Sequence, residues 1–197
     1  MTKTLHLFRH GQTEWNLIRR MQGHTDIPLN PEGQQQARQL QEYFKQNPVD
    51  FFVTSDLSRA RETAQIANEH LKRPLVMNPA LREVSLGVLE GMTLQEAHDT
   101  FGVSAWEQWS SINPLHLDFR FPQAESPREA ITRFGEALRT ICHRESFNHA
   151  AISTHGFILR RFLHSLRPDL KEVLPTPNCV VYTVTWDVQN KEFSFLF

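Results

Sequence analysis

The chain alternates short β-prone runs with longer segments of helical period, and this rhythm limits its fold more than any other feature. Residues 4–8 form the first apolar run, and Arg9-His10-Gly11 ends it. Asn30-Pro31 opens a helix, because asparagine caps free N–H groups and proline fits the first turn. Ala37, Leu40 and Phe44 then recur at spacings of three and four, and Asn47-Pro48 stops the pattern. Residues 51–54 read as a buried strand. Leu57, Ala60, Ala64, Ala67 and Leu71 mark one face of a second helix, and residues 75–77 a third strand. Capping-box patterns at Thr93/Glu96 and Ser126/Glu129 start two more helices, the second with Ile131, Phe134, Leu138 and Ile141 on one face. Residues 150–153 read as a strand, 157–166 as an apolar helix, and 179–186 and 193–197 as β-rich segments. Such alternation predicts an α/β sandwich around a largely parallel sheet.

Residues 100–125 break the rhythm. They hold Phe101, Trp106, Trp109, Ile112, Leu115, Leu117, Phe119 and Phe121, with prolines nearby, and read as an inserted cap or as a packing flap. A chain of 197 residues suits one domain. At this size roughly 70% of the unfolded surface can be buried, so folding needs no disulfide or metal. The formal charge of −1 argues against nucleic acid or an anionic membrane as partner. No run is long enough for a membrane span, and the first apolar stretch is too short for a signal peptide. Cys142 and Cys179 form no CxxC and read as reduced thiols, so the expected setting is the cytoplasm.

Inside the neutral balance, 16 of the 21 basic residues are Arg, and ten His accompany them. Arginine and histidine grip phosphate and move protons. In parallel α/β sheets ligands bind at the carboxyl ends of the strands. Here the first strand runs into Arg9-His10-Gly11, the second into Thr54-Ser55 with Arg59 a turn later, and the fourth into Ser153-Thr154-His155-Gly156; the third leads toward Glu83. Two Arg and two His on one sheet edge suit a phosphoryl group, which the arginine fork binds bidentately. The helix after Gly156 should offer free N–H groups. A neutral imidazole can act as nucleophile. Repulsion from the arginines should keep one histidine neutral, while the other can be protonated against charge on the transferring group. Glu83, with its pKa raised by burial, could supply a proton to the leaving oxygen. No metal-site pattern is present, and none is needed for this chemistry.

These residues resemble a known family. Residues 7–16, Leu-Phe-Arg-His-Gly-Gln-Thr-Glu-Trp-Asn, look like the opening signature of the histidine phosphatase superfamily, the phosphoglycerate mutase-like proteins. Residues 20–23 (Arg-Met-Gln-Gly), with Asp26, Pro28-Leu29 and Gly33, look like its next block. Ser55 to Ala60 with Thr63-Ala64, Leu81-Arg82-Glu83 with Gly87 and Glu90-Gly91, Glu125-Ser126, and Ser153 to Gly156 continue the likeness. The resemblance implies a three-layer α/β/α sandwich around a largely parallel mixed sheet, with residues 1–197 as one domain and about 100–125 as a cap. It implies that His10 becomes phosphorylated, that Arg9, Arg59 and His155 hold the phosphoryl group, and that Glu83 is first acid and then base. Asn16, Gln22 and the Gly156–Phe157 backbone would add contacts near the phosphate. Arg20, His24 and Arg82 would line the entrance or make ion pairs.

The family holds both mutases and phosphatases. Phe157 stands where the glycolytic mutases usually have Asn, and Glu83 precedes Val84-Ser85-Leu86-Gly87, unlike the Arg-His-Tyr-Gly type of sequence in those mutases. The 100–125 stretch has one Arg, Arg120, and no Lys, where a carboxylated bisphosphate would need cations. These features favour a metal-independent, cofactor-free phosphatase acting on a small phosphorylated metabolite with an uncharged or partly hydrophobic leaving group. The α-ribazole phosphatases of cobalamin synthesis are similar in size and motifs. A cofactor-dependent mutase and a non-catalytic regulatory binder are the other readings, and the state is monomer or homodimer.

Overall fold

The structure is a computed structural model that describes residues 1–144 and 146–195. Among these residues the strands are β1 (Thr2–Arg9), β2 (Phe51–Thr54), β3 (Leu75–Met77), β4 (His149–Thr154), β5 (Val181–Asp187) and β6 (Glu192–Phe195). They form one sheet in the order β3-β2-β4-β1-β5-β6. β1, β2, β3 and β4 run parallel, while β5 is antiparallel to β1 and β6 to β5, so the sheet is mixed. Arg9 pairs with Thr154 and Ser153 with Thr54, which aligns the carboxyl ends of β1, β2 and β4 in one row.

The alternation of side chains sorts the sheet into two faces. Leu5, Leu7, Val53, Ala150 and Ile152 face one cluster, and Phe8, Phe52 and Ala151 face the other. α2 (Pro31–Gln46) and α3 (Ser58–Asn68) cover the second face through Leu40, Phe44, Ala64 and Ala67. α6 (Pro127–Arg144) and α7 (Gly156–Leu166) cover the first through Phe134, Leu138, Ile158 and Leu159. Helices thus lie on both sides of the sheet, as a three-layer sandwich requires. Burying each large apolar side chain contributes about 1.5–3 kcal/mol before entropy is subtracted.

The predicted caps form. Asn30 accepts from the Gly33 N–H at 2.8 Å, and Thr93/Glu96 and Ser126/Glu129 make reciprocal capping boxes. Two α-helices have no counterpart in the sequence pattern: α5 (Val103–Ser110), inside the stretch expected as a cap or flap, and α1 (Glu14–Leu17), a single turn capped by Thr13 and Asn16 and too short to show a period. α3 ends at Asn68, short of Leu71. β5 starts at Val181, not 179, because Cys179 has φ 58° and its N–H donates to the Arg9 carbonyl. The expected closing strand runs to Phe195, and residues 196–197 lie outside the described residues.

The 100–125 stretch is helical at its start. α4 (Leu94–Phe101) and α5 (Val103–Ser110) meet at Gly102, whose φ of 85° permits the turn. Trp109 and Phe121 are buried against the first-face core, and Trp106 and Phe119 pack beside them. Among the described residues, no helix is long and apolar enough to cross a membrane.

Candidate active site

The carboxyl ends of β1, β2 and β4 bring His10, Arg9, Arg59 and His155 together, as the spacing of motifs predicted. A pocket beside this row is lined by Arg9, His10, Asn16, Gln22, Arg59 and Glu83, and on its other side by Arg20, Met21, Leu86, Trp106, Trp109 and Phe157. All five residues expected to do chemistry therefore sit on one surface or immediately behind it. His155 lies behind His10, with ring centroids 5.2 Å apart.

His10 is held by its surroundings rather than by its own loop alone. Its N–H donates to Thr154 O at 3.0 Å, and its carbonyl accepts from Asn178 Nδ2 at 2.7 Å. Nδ1 lies 2.6 Å from Gly11 O, and a carbonyl can only accept, so Nδ1 carries the proton. Nε2 then bears the lone pair. The ring is 3% exposed, and its pKa lies well below 6.5, first through burial and then through Arg59 and Arg9. The sequence reading named the arginines; burial outweighs them. The loop also needs glycine. A Cβ on Gly11 would meet Gly33 O at 2.3 Å, and one on Gly33 would meet Gln12 O at 2.0 Å, so α2 could not approach the loop.

Arg59 is 1% exposed and donates to Thr25 O at 2.9 Å and Gly23 O at 2.8 Å. Burial lowers its pKa to about 10, so it remains a cation. Arg9 donates to Thr176 O at 2.9 Å and packs on the Gly156 backbone, where a Cβ would lie 3.0 Å from Arg9 Nε. Burial lowers the Arg9 pKa, and Glu83 opposes that. The Nε atoms of Arg9 and Arg59 and Nδ1 of His155 are buried and have no protein partner. Buried donors of this kind are normally satisfied.

His155 corrects one expectation. It was to be the protonated partner, yet burial, and then Arg59 and His10, hold it well below 6.5 as well. Its Nε2 meets Ser55 Oγ at 2.9 Å, and Ser55 Oγ accepts from the Leu57 N–H at 3.3 Å. The ring is thus neutral, held at Nε2 by the serine hydroxyl, and its Nδ1 is left without a protein partner. The helix N-terminus is a second correction. Glu83 takes the Phe157 N–H on Oε2 at 3.0 Å and the Ile158 N–H on Oε1 at 2.8 Å. Those amides, expected to be free, are committed to a carboxylate. Glu83 is also only half-buried, less enclosed than expected.

Asn16 spends Oδ1 on the Thr13 N–H at 3.1 Å, so its Nδ2 is free to face the pocket. Gln22 is buried, with Oε1 unpaired; exchanging the amide O and N would turn a donor to the same spot. Arg20 lines the pocket but also donates to Gly91 O and lies 3.7 Å from Glu96. Arg82 pairs with Asp56, at 2.7 and 2.5 Å. His24 Nε2 donates to the Glu83 carbonyl at 2.8 Å. Thr63, named in the sequence as part of a motif but without a role, accepts the Gly11 N–H at 3.0 Å, and the strap holding Thr176 and Asn178 has no counterpart among the sequence motifs. The prolines 175 and 177 around Thr176 were the available signal, since they fix an extended segment just before β5.

The chain matches the family described as the histidine phosphatase superfamily (branch 1) over residues 5–196. It is 37% identical over 161 residues to a protein of Serratia proteamaculans named probable phosphoglycerate mutase GpmB, covering 79% of this chain and 70% of that one. It is 50% identical over 109 residues to the uncharacterized phosphatase PhoE of Bacillus subtilis, covering 55% of this chain and 56% of the relative. Among solved structures, Bacillus stearothermophilus YhfR superposes with a TM-score of 0.87 at 29% identity, over 98% of this chain and 95% of that one. This chain belongs to branch 1 of the histidine phosphatase superfamily, and its α/β fold is that of its phosphoglycerate mutase-like neighbours.

Proposed function

We propose that this branch 1 histidine phosphatase hydrolyses small phosphomonoesters through a phosphohistidine on His10, without metal or cofactor. The observation that carries this reading is the single surface on which a neutral, Nδ1-anchored His10 faces two arginines whose buried Nε donors lack protein partners. In the first step His10 Nε2 forms the N–P bond as the bond from phosphorus to the ester oxygen breaks. Glu83 gives its proton to that oxygen, and the alcohol leaves. Arg9, Arg59 and His155 hold the three non-bridging oxygens, with Asn16, Gln22, Arg20 and the Gly156 amide at the periphery. The Gly11 carbonyl stabilises the positive charge that the ring gains. In the second step Glu83 takes a proton from water, the water oxygen attacks phosphorus, and the N–P bond breaks to return neutral His10 and inorganic phosphate.

The names of the relatives divide between mutase and phosphatase. Hydrolysis is favoured by the wall opposite His10. Beyond the phosphate group the lining is Met21, Leu86, Trp106, Trp109 and Phe157; among the described residues lining that wall, Arg20 is the one cation, and it is already bonded to Gly91 O. A carboxylated bisphosphate would press two more anionic groups on apolar rings, whereas an uncharged leaving group would lose nothing. Residues 1–197 then act as one catalytic unit, with the 100–125 stretch as its roof. The unpaired thiols Cys142 and Cys179 fit a reducing, cytoplasmic setting. The test is a panel of phosphomonoesters, α-ribazole-type nucleotides included, with and without EDTA and vanadate. Hydrolysis should resist EDTA, stop with vanadate and vanish in His10→Ala. Mutase turnover that needs a bisphosphate primer and outruns hydrolysis would overturn the reading.

A further inference from the structure

Glu83 must reach the leaving oxygen, yet its main chain sits in an irregular segment between the one-turn helix Pro79–Leu81 and the turn Gly87–Leu89. The α7 amides hold its carboxylate, and a side chain on α6 holds its main chain. Arg133 donates from Nη1 to Ala80 O at 2.8 Å and Arg82 O at 3.1 Å, and from Nη2 to Glu83 O at 3.2 Å. Its Nε and Nη2 also meet the two Glu125 oxygens, both at 2.8 Å. Glu125 in turn accepts the Ser85 N–H at 3.3 Å and donates its own N–H to Ser85 O at 3.0 Å. One guanidinium thus gathers the carbonyls of Ala80, Arg82 and Glu83 itself, and its carboxylate partner staples the chain at Ser85 just beyond. The Glu83 carbonyl is held by His24 as well, so both of its lone pairs are used.

We propose that the Arg133–Glu125 pair is a positioning device for the proton-transfer step, setting where the Glu83 carboxyl stands relative to the leaving oxygen. The pair is not part of the pocket lining, so it acts through the 80–85 segment that carries Glu83. It is half-buried rather than exposed, with side chains 24% and 17% accessible, and its five donor contacts leave the guanidinium little freedom. A shift of about 1 Å at a reacting group can cost a hundredfold in rate, so a loose latch would slow chemistry without weakening phosphate binding. The inference rests on the proposed role of Glu83.

The test uses leaving groups of different basicity. An aryl phosphate such as p-nitrophenyl phosphate departs with little help, whereas an alkyl phosphate needs the proton. In Arg133→Lys, kcat for alkyl esters should fall about ten- to a hundredfold, and kcat for p-nitrophenyl phosphate less than about threefold. Inhibition by inorganic phosphate and the urea midpoint should stay close to those of the parent. Glu125→Gln, which keeps the shape of its side chain, should show the same selectivity in weaker form. In a Glu83→Gln background Arg133→Lys should add nothing. An equal loss for all leaving groups in both variants, or a loss that adds to that of Glu83→Gln, would overturn the proposal. If Glu83→Gln itself shows no dependence on the leaving group, the acid role of Glu83 fails and the latch falls with it.

Discussion

The pocket has a floor and a roof built by different physics. The floor is Arg9, His10, Arg59 and His155, fixed largely by main-chain hydrogen bonds from four separate segments. Moving any one of these side chains means moving a strand end or breaking a buried bond. The roof is Trp106 and Trp109 from α5, closing on Phe157 of α7. Trp109 and Phe157 stack at 4.1 Å and 9°, and Arg161 donates to Trp109 O and Ser111 O while its guanidinium lies 4.7 Å over Phe157. Stacking is non-directional compared with a hydrogen bond, so rings can be exchanged for other apolar shapes with little cost to the fold. On the proposed reading the floor meets the phosphate and the roof the alcohol, so the two can change independently.

Breaking the floor should cost most and should be blind to the leaving group. Lysine at position 59 keeps the charge but loses the planar fork and one of its two carbonyl contacts. Arg59→Lys should lower kcat/KM by about 10²–10³, the cost of removing one preorganised donor to developing charge. The loss should be the same for alkyl and aryl esters in a steady-state comparison. A loss that tracked the leaving group would mean that floor and roof are not separate. The roof should give a smaller and selective effect. Arg161→Met removes two donors and a cation over a ring, together about 1–2 kcal/mol. KM for bulky apolar esters should rise about tenfold, while small esters stay within about twofold. Uniform loss across the panel would assign Arg161 to the fold alone.

The two regions also differ in how far the sequence discloses them. The floor is written in short local strings, because a strand that ends on Arg-His-Gly or Ser-Thr-His-Gly carries its chemistry at a known edge of the sheet. Parallel pairing of β1, β2 and β4 was enough to bring those strings together. The charge state of His155 was not legible, since it depends on burial behind His10, which no local pattern reports. Nor was the occupancy of the α7 N-terminus by Glu83, a contact across 74 residues. The roof was visible as a break in rhythm and as a run of aromatics. Which rings face the pocket follows from packing against Phe157, and helical period gives no answer there. The 175–178 strap was passed over because its two working contacts, to Arg9 and His10, are made by one backbone carbonyl and one amide, which carry no motif.

Acid offers the gentlest way to separate floor from roof. His10 and His155 are neutral in the folded chain because burial, and then the arginine charges, press their pKa values well below 6.5. His6, on β1 beside Tyr43, is pushed to about 4 by burial and by His149. In the unfolded chain each returns to about 6.5. Between that value and the folded one, the unfolded state binds more protons, so ∂ΔG/∂pH is positive and stability is lost as the pH falls. Above about 6.5 neither state gains protons there and the contribution is fully present. The urea midpoint should accordingly be level from pH 8 to 7 and decline from about pH 6.5 toward 4. Saturating inorganic phosphate, which ties the floor together, should shift the whole curve upward. Arg161→Met should lower the curve slightly and flatten it a little, since His164, held below 6.5 by burial and then by Arg161 and Arg160, loses one of those charges. His155→Gln should flatten it. A midpoint that rose on acidification, or a slope that answered to Arg161 and not to His155, would place the pH-sensitive groups in the roof and undo the division.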